Sequence, residues 1–439
     1  MATVELPTTD QPARKKMFGL RIDTMLLVVA GALVAFGLMM VYSTTFDWSY
    51  REFQNPSVIF FRQVRWLGVG IVAMLVAARM PYHWWRRLSV VGMGGALLAL
   101  VGVLVIGSMT FNAQRSFFNG SVQPSELAKL MTILYLAVWL DSKSDRIHQL
   151  SYGLVPFGII VGLVAGLILL QPDLSAAGTV VIVAVLMFFI AGADIVQMGL
   201  VGGAMAATAY LVLQVSETGR QRLADYVAGV QDLTQASWHV QQAAIAFVNG
   251  GFFGRGLGES HQKFGFLPTP HTDSIFAIVG EELGLLGCAF VIALFLAYAW
   301  RGFRIAALSK DQLGALMAAG LVCWVVVEAL INIAVMVGAM PFAGNTLPFI
   351  SYGGSSLVVM LTGVGILLSI SRRDENETIQ RKTRGTPRSA HAPRATARAA
   401  NPRSGRSGAG PVKNATFGLS RRDRRGRVSR AVGRSDTQE

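Results

Sequence analysis

Ten long apolar runs constrain the fold of this chain more than any other feature of its sequence. Short polar connections separate them, apart from one long polar segment between the seventh and eighth runs. Several runs reach about 18 residues or more, which is the length that a helix needs to cross a bilayer. The runs cover residues 23–43, 64–80, 88–109, 125–140, 152–170, 174–191, 198–214, 274–300, 312–337 and 355–370.

The runs predict an all-α integral membrane protein with about ten transmembrane helices, in keeping with 52% hydrophobic and 15% charged residues. An even number of helices places both termini on one side. If that side is cytoplasmic, the short inner segments hold twelve Lys and Arg residues and the short outer ones hold four. The positive-inside rule therefore predicts cytoplasmic termini, with residues 215–273 as a large extracytoplasmic loop between helices 7 and 8.

The formal net charge of +14 suggests a nucleic-acid-binding protein until it is mapped onto the chain. Residues 372–439 hold 18 Lys and Arg and 6 Asp and Glu, which accounts for +12 of the total. This Arg-, Ser-, Gly- and Pro-rich segment is predicted to be a disordered cytoplasmic tail facing anionic lipid, and no nucleic acid is predicted as a partner. Residues 1–22 are predicted to form a polar cytoplasmic tail before a retained first helix.

Metal and nucleotide chemistry find little support in the sequence. Cys288 and Cys323 both lie inside apolar runs, where a thiol behaves as a small hydrophobic group. The chain has no Walker lysine motif, HExxH or Cys-x-x-Cys, so neither ATP hydrolysis nor a zinc protease is predicted. We expect no metal site and no evident cofactor, although a divalent cation could assist a phosphate-containing substrate.

Polar clusters at the ends of three of the predicted helices are candidate sites, because polar groups near membrane depth are costly. The first is Gln123-Pro124-Ser125-Glu126 with Lys129, and the second is Gln171-Pro172-Asp173. Helix capping and turn formation are alternative explanations for both. The third is the Gly- and Ser-rich segment 344–356, which contains Ser351 and Ser355 and follows Glu328 and Asn332 in the ninth run.

A fourth cluster covers residues 250–284, the end of the long loop and the start of the eighth helix. Asp273 stands where the polar loop meets the apolar helix, so partial desolvation can raise its pKa toward that of a general base. From position alone, an N-cap role for Asp273 or Thr272 is the favoured alternative. The cluster also holds Arg255, Gln262, Lys263, His271, Glu281 and Glu282.

Together and in this order, the four clusters resemble the SEDS family, the shape, elongation, division and sporulation proteins of bacteria. The resemblance covers roughly residues 23–370 and rests on QPSELAKL, QPDL, GGFFGRGLG through HTDSIFAIVGEELG, and TLPFISYGGSS. The segment LGESHQKFGFLP is more similar to the cell-division member than to the elongation member. The resemblance also implies the ten-helix plan.

The family implies polymerisation of lipid II, the undecaprenyl-diphosphate-linked disaccharide-pentapeptide, into β-1,4 glycan strands on the outer face of the cytoplasmic membrane, here during septal synthesis. Its essential aspartate falls on Asp273, which becomes the expected base. Arg255 and Lys263, with Arg115 and Lys129, are expected near the diphosphate. The remaining expected substrate-binding residues are Glu126, Asp173, Gln262, His271, Glu281, Ser351 and Ser355.

The family further implies a partner, a class B penicillin-binding protein acting as transpeptidase, together with other division proteins. Two other functions stay open at this point. A lipid II flippase would depend on deep polar groups such as Glu328 and Asn332, and a non-catalytic division scaffold would act through its basic tail.

Overall fold

Helices account for most of the computed structural model, which describes residues 23–106, 108–110, 113–116 and 123–372. The predicted tails at 1–22 and 373–439 lie outside the described residues, as does the side chain of Arg115. The described helices are α1 (Thr24–Phe53), α2 (Val58–Arg79), α3 (Trp85–Ile106), α4 (Pro124–Ser142), α5 (Val155–Leu169), α6 (Leu174–Ile190), α7 (Ile195–Val215), α8 (Glu217–Gln231), α9 (Trp238–Gly250), α10 (Ile275–Ala307), α11 (Gln312–Met336) and α12 (Gly354–Ser371).

Each of the ten apolar runs coincides with one helix, α1–α7 or α10–α12. Within the described residues, eight helices are long and apolar enough to cross a membrane, and α6 is shorter. The all-α membrane fold is therefore confirmed, while the number of spans and their orientation stay predictions. A short antiparallel hairpin, β1 (Ser108–Thr110) and β2 (Ala113–Ser116), connects α3 to α4.

The core of the bundle is built around α11, whose side chains are buried on most sides. Trp324 is its largest fully buried side chain. Many residues on the other helices expose large apolar side chains, as expected where lipid replaces water as the solvent. This arrangement fits helices that pack around a central one and face lipid on their outer sides.

The long segment after α7 is half helical. It contains α8 and α9, and α9 runs beside the first part of α10. The rings of Phe247 and Phe276 lie 6.0 Å apart, and a Cβ at Gly250 would be only 1.9 Å from Gly280 O. Glycine at 250 thus permits close packing of α9 against α10.

Helix α10 is interrupted at Gly284, where φ is 67° and ψ is −165°. The interruption leaves amide and carbonyl groups of α10 without helical partners, and the backbone of the preceding loop binds them. Arg255 N donates to Glu281 O at 3.0 Å, and Leu285 N donates to Gly251 O at 3.0 Å. Non-helical backbone is tolerated near a membrane when protein satisfies it in this way.

Candidate functional site

Asp273 lies at the N-terminal end of α10 but is not its N-cap residue. The helix begins at Ile275 with Ser274 in the cap position, and the Ser274 hydroxyl instead donates to Pro268 O at 3.0 Å. Asp273 therefore stands one residue before the cap, with its side chain half-buried. The capping alternative for Asp273 does not fit this geometry, and Thr272 is still farther from the helix.

The backbone of Asp273 is fixed from α11. Asn332 Nδ2 donates to Asp273 O at 2.7 Å and to Asn345 O at 2.6 Å. Opposite the carboxylate lies Gly344, where an added Cβ would be 3.1 Å from Asp273 Oδ2. Asn332 thus holds the aspartate in place, and the glycine leaves room beside its oxygen atoms.

The Gly- and Ser-rich segment before α12 is bonded to the loop that carries Asp273. Ser351 Oγ donates to Thr272 O at 2.6 Å, and Tyr352 N donates to His271 O at 2.8 Å. Ser351 Oγ also accepts from Leu347 N at 2.8 Å. These bonds join the third and fourth polar clusters directly.

The first two clusters meet the same segment from the other side. Ser355 Oγ accepts from Gln123 N at 3.3 Å, and Ser356 Oγ donates to Glu126 Oε2 at 3.2 Å. Gln123 Nε2 donates to Asp173 Oδ2 at 3.4 Å, while Asp173 also caps α6. All four clusters therefore converge at one end of the bundle, around residues 344–356, which lead into the first turn of α12.

Lys129 lies below this surface in a buried ion cluster. Its ammonium contacts Glu126 Oε1 at 2.8 Å and also Glu328 Oε1, and its side chain is 5% exposed. The Lys129 ammonium also lies 5.7 Å from the centre of the Trp324 ring. Its charge is paired within the protein, and a direct contact with the substrate diphosphate stays a prediction.

His271 packs beside the site as a neutral ring. It stacks on Trp48 with ring centres 4.6 Å apart and meets Tyr352 edge-on at 5.9 Å. Burial lowers the pKa of His271 from 6.5 to about 4, because the charged imidazolium loses its hydration. We infer that aromatic packing, rather than charge, positions this side chain at neutral pH.

The stability of the protein should therefore fall as the pH drops from 6.5 toward 4. In that window the unfolded chain binds a proton at His271 and the folded chain does not, so acidification favours unfolding. His271→Phe keeps an aromatic ring and removes the titration. We expect the variant to lose less of its thermal unfolding midpoint than the parent between pH 7 and 4. Equal losses in the two proteins would contradict this assignment.

A second group of predicted residues lies lower, where the loop crosses α10. Glu281 is fully buried and accepts from the Ser260 hydroxyl and from the amides of His261 and Gln262, both at 3.2 Å. Glu282 is also fully buried and pairs with Lys263 at 2.9 Å. The two carboxylates hold the returning loop against the helix.

Glu281→Ala is expected to loosen residues 260–263 without unfolding the bundle. The substitution leaves the buried amide of Gln262 and the part-buried amide of His261 without an acceptor, and the loss for one buried group is about 1–3 kcal/mol. Amide hydrogen exchange in this segment should accelerate about 10- to 100-fold on that basis. Glu281→Gln retains one acceptor oxygen and should show a smaller change. Unchanged exchange in the alanine variant would disprove the anchoring role.

Lys263 was expected to meet the substrate diphosphate, and its ammonium has three protein partners. Besides Glu282, these are Gly258 O at 2.6 Å and Ser43 Oγ at 3.3 Å. The Arg255 guanidinium is exposed and, among the residues that the structure describes, has no ion-pair partner. Of these two cations, Arg255 is the one available to an anion.

Gln262 differs from the other predicted contacts because part of its side chain is unsatisfied. The residue is buried, and its Oε1 has no hydrogen-bond partner within the described part of the chain. Within the same residues, no group of three or more His, Cys, Asp and Glu side chains could hold a metal ion. A divalent cation that accompanies the substrate stays a prediction.

Sequence reasoning did not select three residues that the site uses. Trp48 stacks on His271, Ser43 donates to Glu282 at 2.6 Å, and Ser260 binds Glu281. Ser43 and Trp48 belong to α1, more than 200 positions away from their partners. A polar residue at the outer end of an apolar run was the signal available for Ser43.

The family model that covers FtsW, RodA and SpoVE, described as a cell cycle protein, matches residues 23–376. The "Probable peptidoglycan glycosyltransferase FtsW" of Trichlorobacter lovleyi is 39% identical over 357 residues, covering 80% of this chain and 93% of the relative. The stage V sporulation protein E of Bacillus subtilis is 38% identical over 358 residues, covering 80% of this chain and 97% of the relative.

Two solved structures share the fold. One belongs to work on the structural coordination of polymerization and crosslinking by a peptidoglycan synthase complex, with a TM-score of 0.65, 26% identity and coverage of 80% of this chain and 97% of that one. The other is the rod shape determining protein RodA of Thermus thermophilus, with a TM-score of 0.60, 27% identity and coverage of 80% and 98%. Both likenesses extend over the same share of this chain.

Proposed function

The chain belongs to the FtsW, RodA and SpoVE family of cell cycle proteins, and on that premise we propose that it is a peptidoglycan glycosyltransferase of the FtsW type. Its substrate is lipid II, as both donor and acceptor, and its product is a β-1,4 glycan strand. It acts on the outer face of the cytoplasmic membrane during septal wall synthesis. The observation that carries the proposal is the convergence of the four polar clusters on residues 344–356, which are bonded to the loop that carries the half-buried Asp273.

Helices α1 and α10 contact each other through polar side chains at two heights, and the distance between these heights supports placing the site outside the hydrocarbon. Arg301 pairs with Asp23 at 2.7 Å, and Ser43 Oγ lies 2.6 Å from Glu282 Oε1. On α1, Asp23 and Ser43 are separated by a rise of about 30 Å. On α10, Glu282 and Arg301 are separated by about 28 Å. These lengths match a hydrocarbon core of about 30 Å.

Asp273 then stands above the hydrocarbon edge. Ile275, the first residue of α10, precedes Glu282 by seven positions, which places it about 10 Å farther out. A lipid-linked substrate anchors its diphosphate near the edge and raises its disaccharide toward solvent. The acceptor hydroxyl, on the sugar remote from its own diphosphate, is therefore accessible to the Asp273 carboxylate.

In this mechanism, Asp273 takes the proton from the acceptor 4-hydroxyl while that oxygen attacks C1 of the donor sugar. The bond between C1 and the phosphate oxygen breaks, and undecaprenyl diphosphate leaves. Attack from the opposite face converts the α-linked donor into a β-1,4 product without a covalent enzyme intermediate. Asn332 contributes by fixing the Asp273 backbone.

Arg255 is the proposed partner of the leaving diphosphate. Its amide is bound to Glu281 O at 3.0 Å, which places its backbone near the hydrocarbon edge, and its exposed guanidinium can form paired hydrogen bonds with phosphate oxygens. Negative charge develops on those oxygens as the C1 bond breaks, so a fixed cation there favours departure. Arg115 is proposed to assist from the connection before α4.

Incubation of the purified full-length chain with lipid II tests the activity. Glycan strands separated on a gel are expected, and more of them when a class B penicillin-binding protein is added as the proposed partner.

Translocation of a fluorescent lipid II across vesicle membranes without strand formation would support the flippase alternative instead. Removal of residues 374–439 should leave strand formation in vitro intact if the chain is a polymerase, whereas a chain that forms no strands and loses its role in division on that removal would be the scaffold. Addition of EDTA tests the dependence on a divalent cation.

A further inference from the structure

Residues 238–268 form a hairpin that packs along the first part of α10. Helix α9 descends beside α10, and Gly251 and Phe252 accept hydrogen bonds from Leu285 N and Leu286 N at 3.0 and 3.3 Å. The chain then turns back, since Arg255 N binds Glu281 O. At the top of the returning arm, Phe266 O accepts from Trp238 Nε1 at 2.9 Å, which closes the hairpin.

The turn of this hairpin lies below the hydrocarbon edge defined by Ser43 and Glu282. Leu285 and Leu286 follow Glu282 beyond the interruption at Gly284, on the side of Arg301 and therefore toward the membrane centre. Phe252 is bonded at that level through its backbone. The depth rests on contacts with two separate helices, because Lys263 on the returning arm reaches both Ser43 and Glu282.

The side chains at this depth are large, apolar and exposed. Phe253 is 80% exposed, and Phe252 and Leu257 in the same turn are more than half exposed. Their surface continues onto Leu286 and Phe290, which are exposed on the transmembrane helix α10. In water such a patch would be unfavourable, whereas beside a membrane-spanning helix it matches the surrounding hydrocarbon.

We propose that residues 251–257, here called the turn, insert into the outer leaflet and contact the acyl chains of phospholipids. Phe252, Phe253 and Leu257 occupy the upper acyl region, and Arg255, bonded one helical turn higher, reaches the phosphate level. The long loop between α7 and α10 is thus in part a membrane-embedded element. This inference rests on the membrane fold and not on the proposed enzymatic function.

The turn fixes the height of the site because it is bonded to α10 on both sides of the interruption at Gly284. Insertion of its aromatic side chains opposes movement of α10 along the membrane normal. The same contact brings Arg255 to the layer in which a lipid-linked anion lies.

Spin labels on single cysteines test the depth of the turn in phospholipid vesicles. Cys288 and Cys323 are buried, so both are replaced by alanine, and Phe253→Cys is labelled in the full-length chain. Leu285→Cys serves as the lipid-facing reference on α10, and Gln231→Cys, exposed at the end of α8, serves as the aqueous one. Collision with oxygen reports lipid, and collision with a polar nickel chelate reports water.

The label at 253 is expected to give an oxygen-to-nickel ratio equal to that at 285 and several-fold above that at 231. A ratio equal to that at 231 would place the turn in water and overturn the proposal. Poor collision with both reagents would also overturn it, because protein would then cover the turn. Phe252→Cys provides a second position if the first variant folds poorly. None of these measurements requires enzymatic activity.

Discussion

Asp273→Asn is expected to lower the rate of glycan polymerisation by about 10²- to 10⁴-fold while preserving the fold. Asparagine has nearly the same shape but cannot take the proton from the acceptor hydroxyl. The hydrogen bond from Asn332 is retained, because it reaches the backbone oxygen of residue 273 and not its side chain. The measurement is the initial rate of strand formation from lipid II at a fixed protein concentration.

A matched control comes from the same loop. Glu259 is exposed and plays no part in the proposed chemistry. Glu259→Gln therefore removes one carboxylate and changes the net charge by the same amount as Asp273→Asn. We expect this variant to polymerise lipid II at the parental rate. Thermal unfolding of both variants should match that of the parent. Full activity of Asp273→Asn would remove the proposed base and with it the mechanism.

Asp273→Glu tests whether the position of the carboxylate matters apart from its ability to take a proton. Glutamate retains a carboxylate but moves it by one methylene, toward the space that Gly344 leaves open at 3.1 Å from Asp273 Oδ2. A catalytic base must lie within hydrogen-bond reach of the proton that it removes. The variant should therefore remain well below the parental rate, although above that of Asp273→Asn.

The helices were predictable from sequence because each apolar run is long enough to form one by itself. The interruption of α10 was not predictable, because Gly280, Gly284 and Gly287 all lie in this stretch and only Gly284 is non-helical, where residues 251–256 supply the hydrogen bonds. Helix α9 was missed for a related reason. Its thirteen residues are too few for a membrane span, and its apolar face is explained only by packing on α10.

For the site, sequence identified the residue types and the structure supplied their pairing. Lys263 and Glu282 are nineteen positions apart across non-helical backbone, so no spacing rule could connect them. The Glu126–Lys129 pair was predictable from helical spacing, while its extension to Glu328 on α11 was not. That extension changes the expected result of substitution at Lys129.

Lys129→Met is expected to destabilise the protein by about 3–5 kcal/mol, which is the cost of breaking a buried ion pair by removing one partner. The loss is large because Lys129 is the cation between two buried carboxylates, Glu126 and Glu328, and without it they face each other unneutralised. Methionine preserves most of the side-chain volume, so the effect reports charge and not a cavity. The measurement is the thermal unfolding midpoint in detergent.

Arg87→Met is the control, since Arg87 is an exposed cation on α3 and a surface substitution of this kind usually changes stability by about 0.5 kcal/mol or less. Adding Glu328→Gln to Lys129→Met removes one of the two uncompensated carboxylates and should recover part of the lost stability. If the single and double variants were equally unstable, the two carboxylates would not be coupled through Lys129. Recovery would instead show that α4 and α11 are joined beneath the site by charge, so that the position of Asn332, one turn from Glu328, depends on the same cluster.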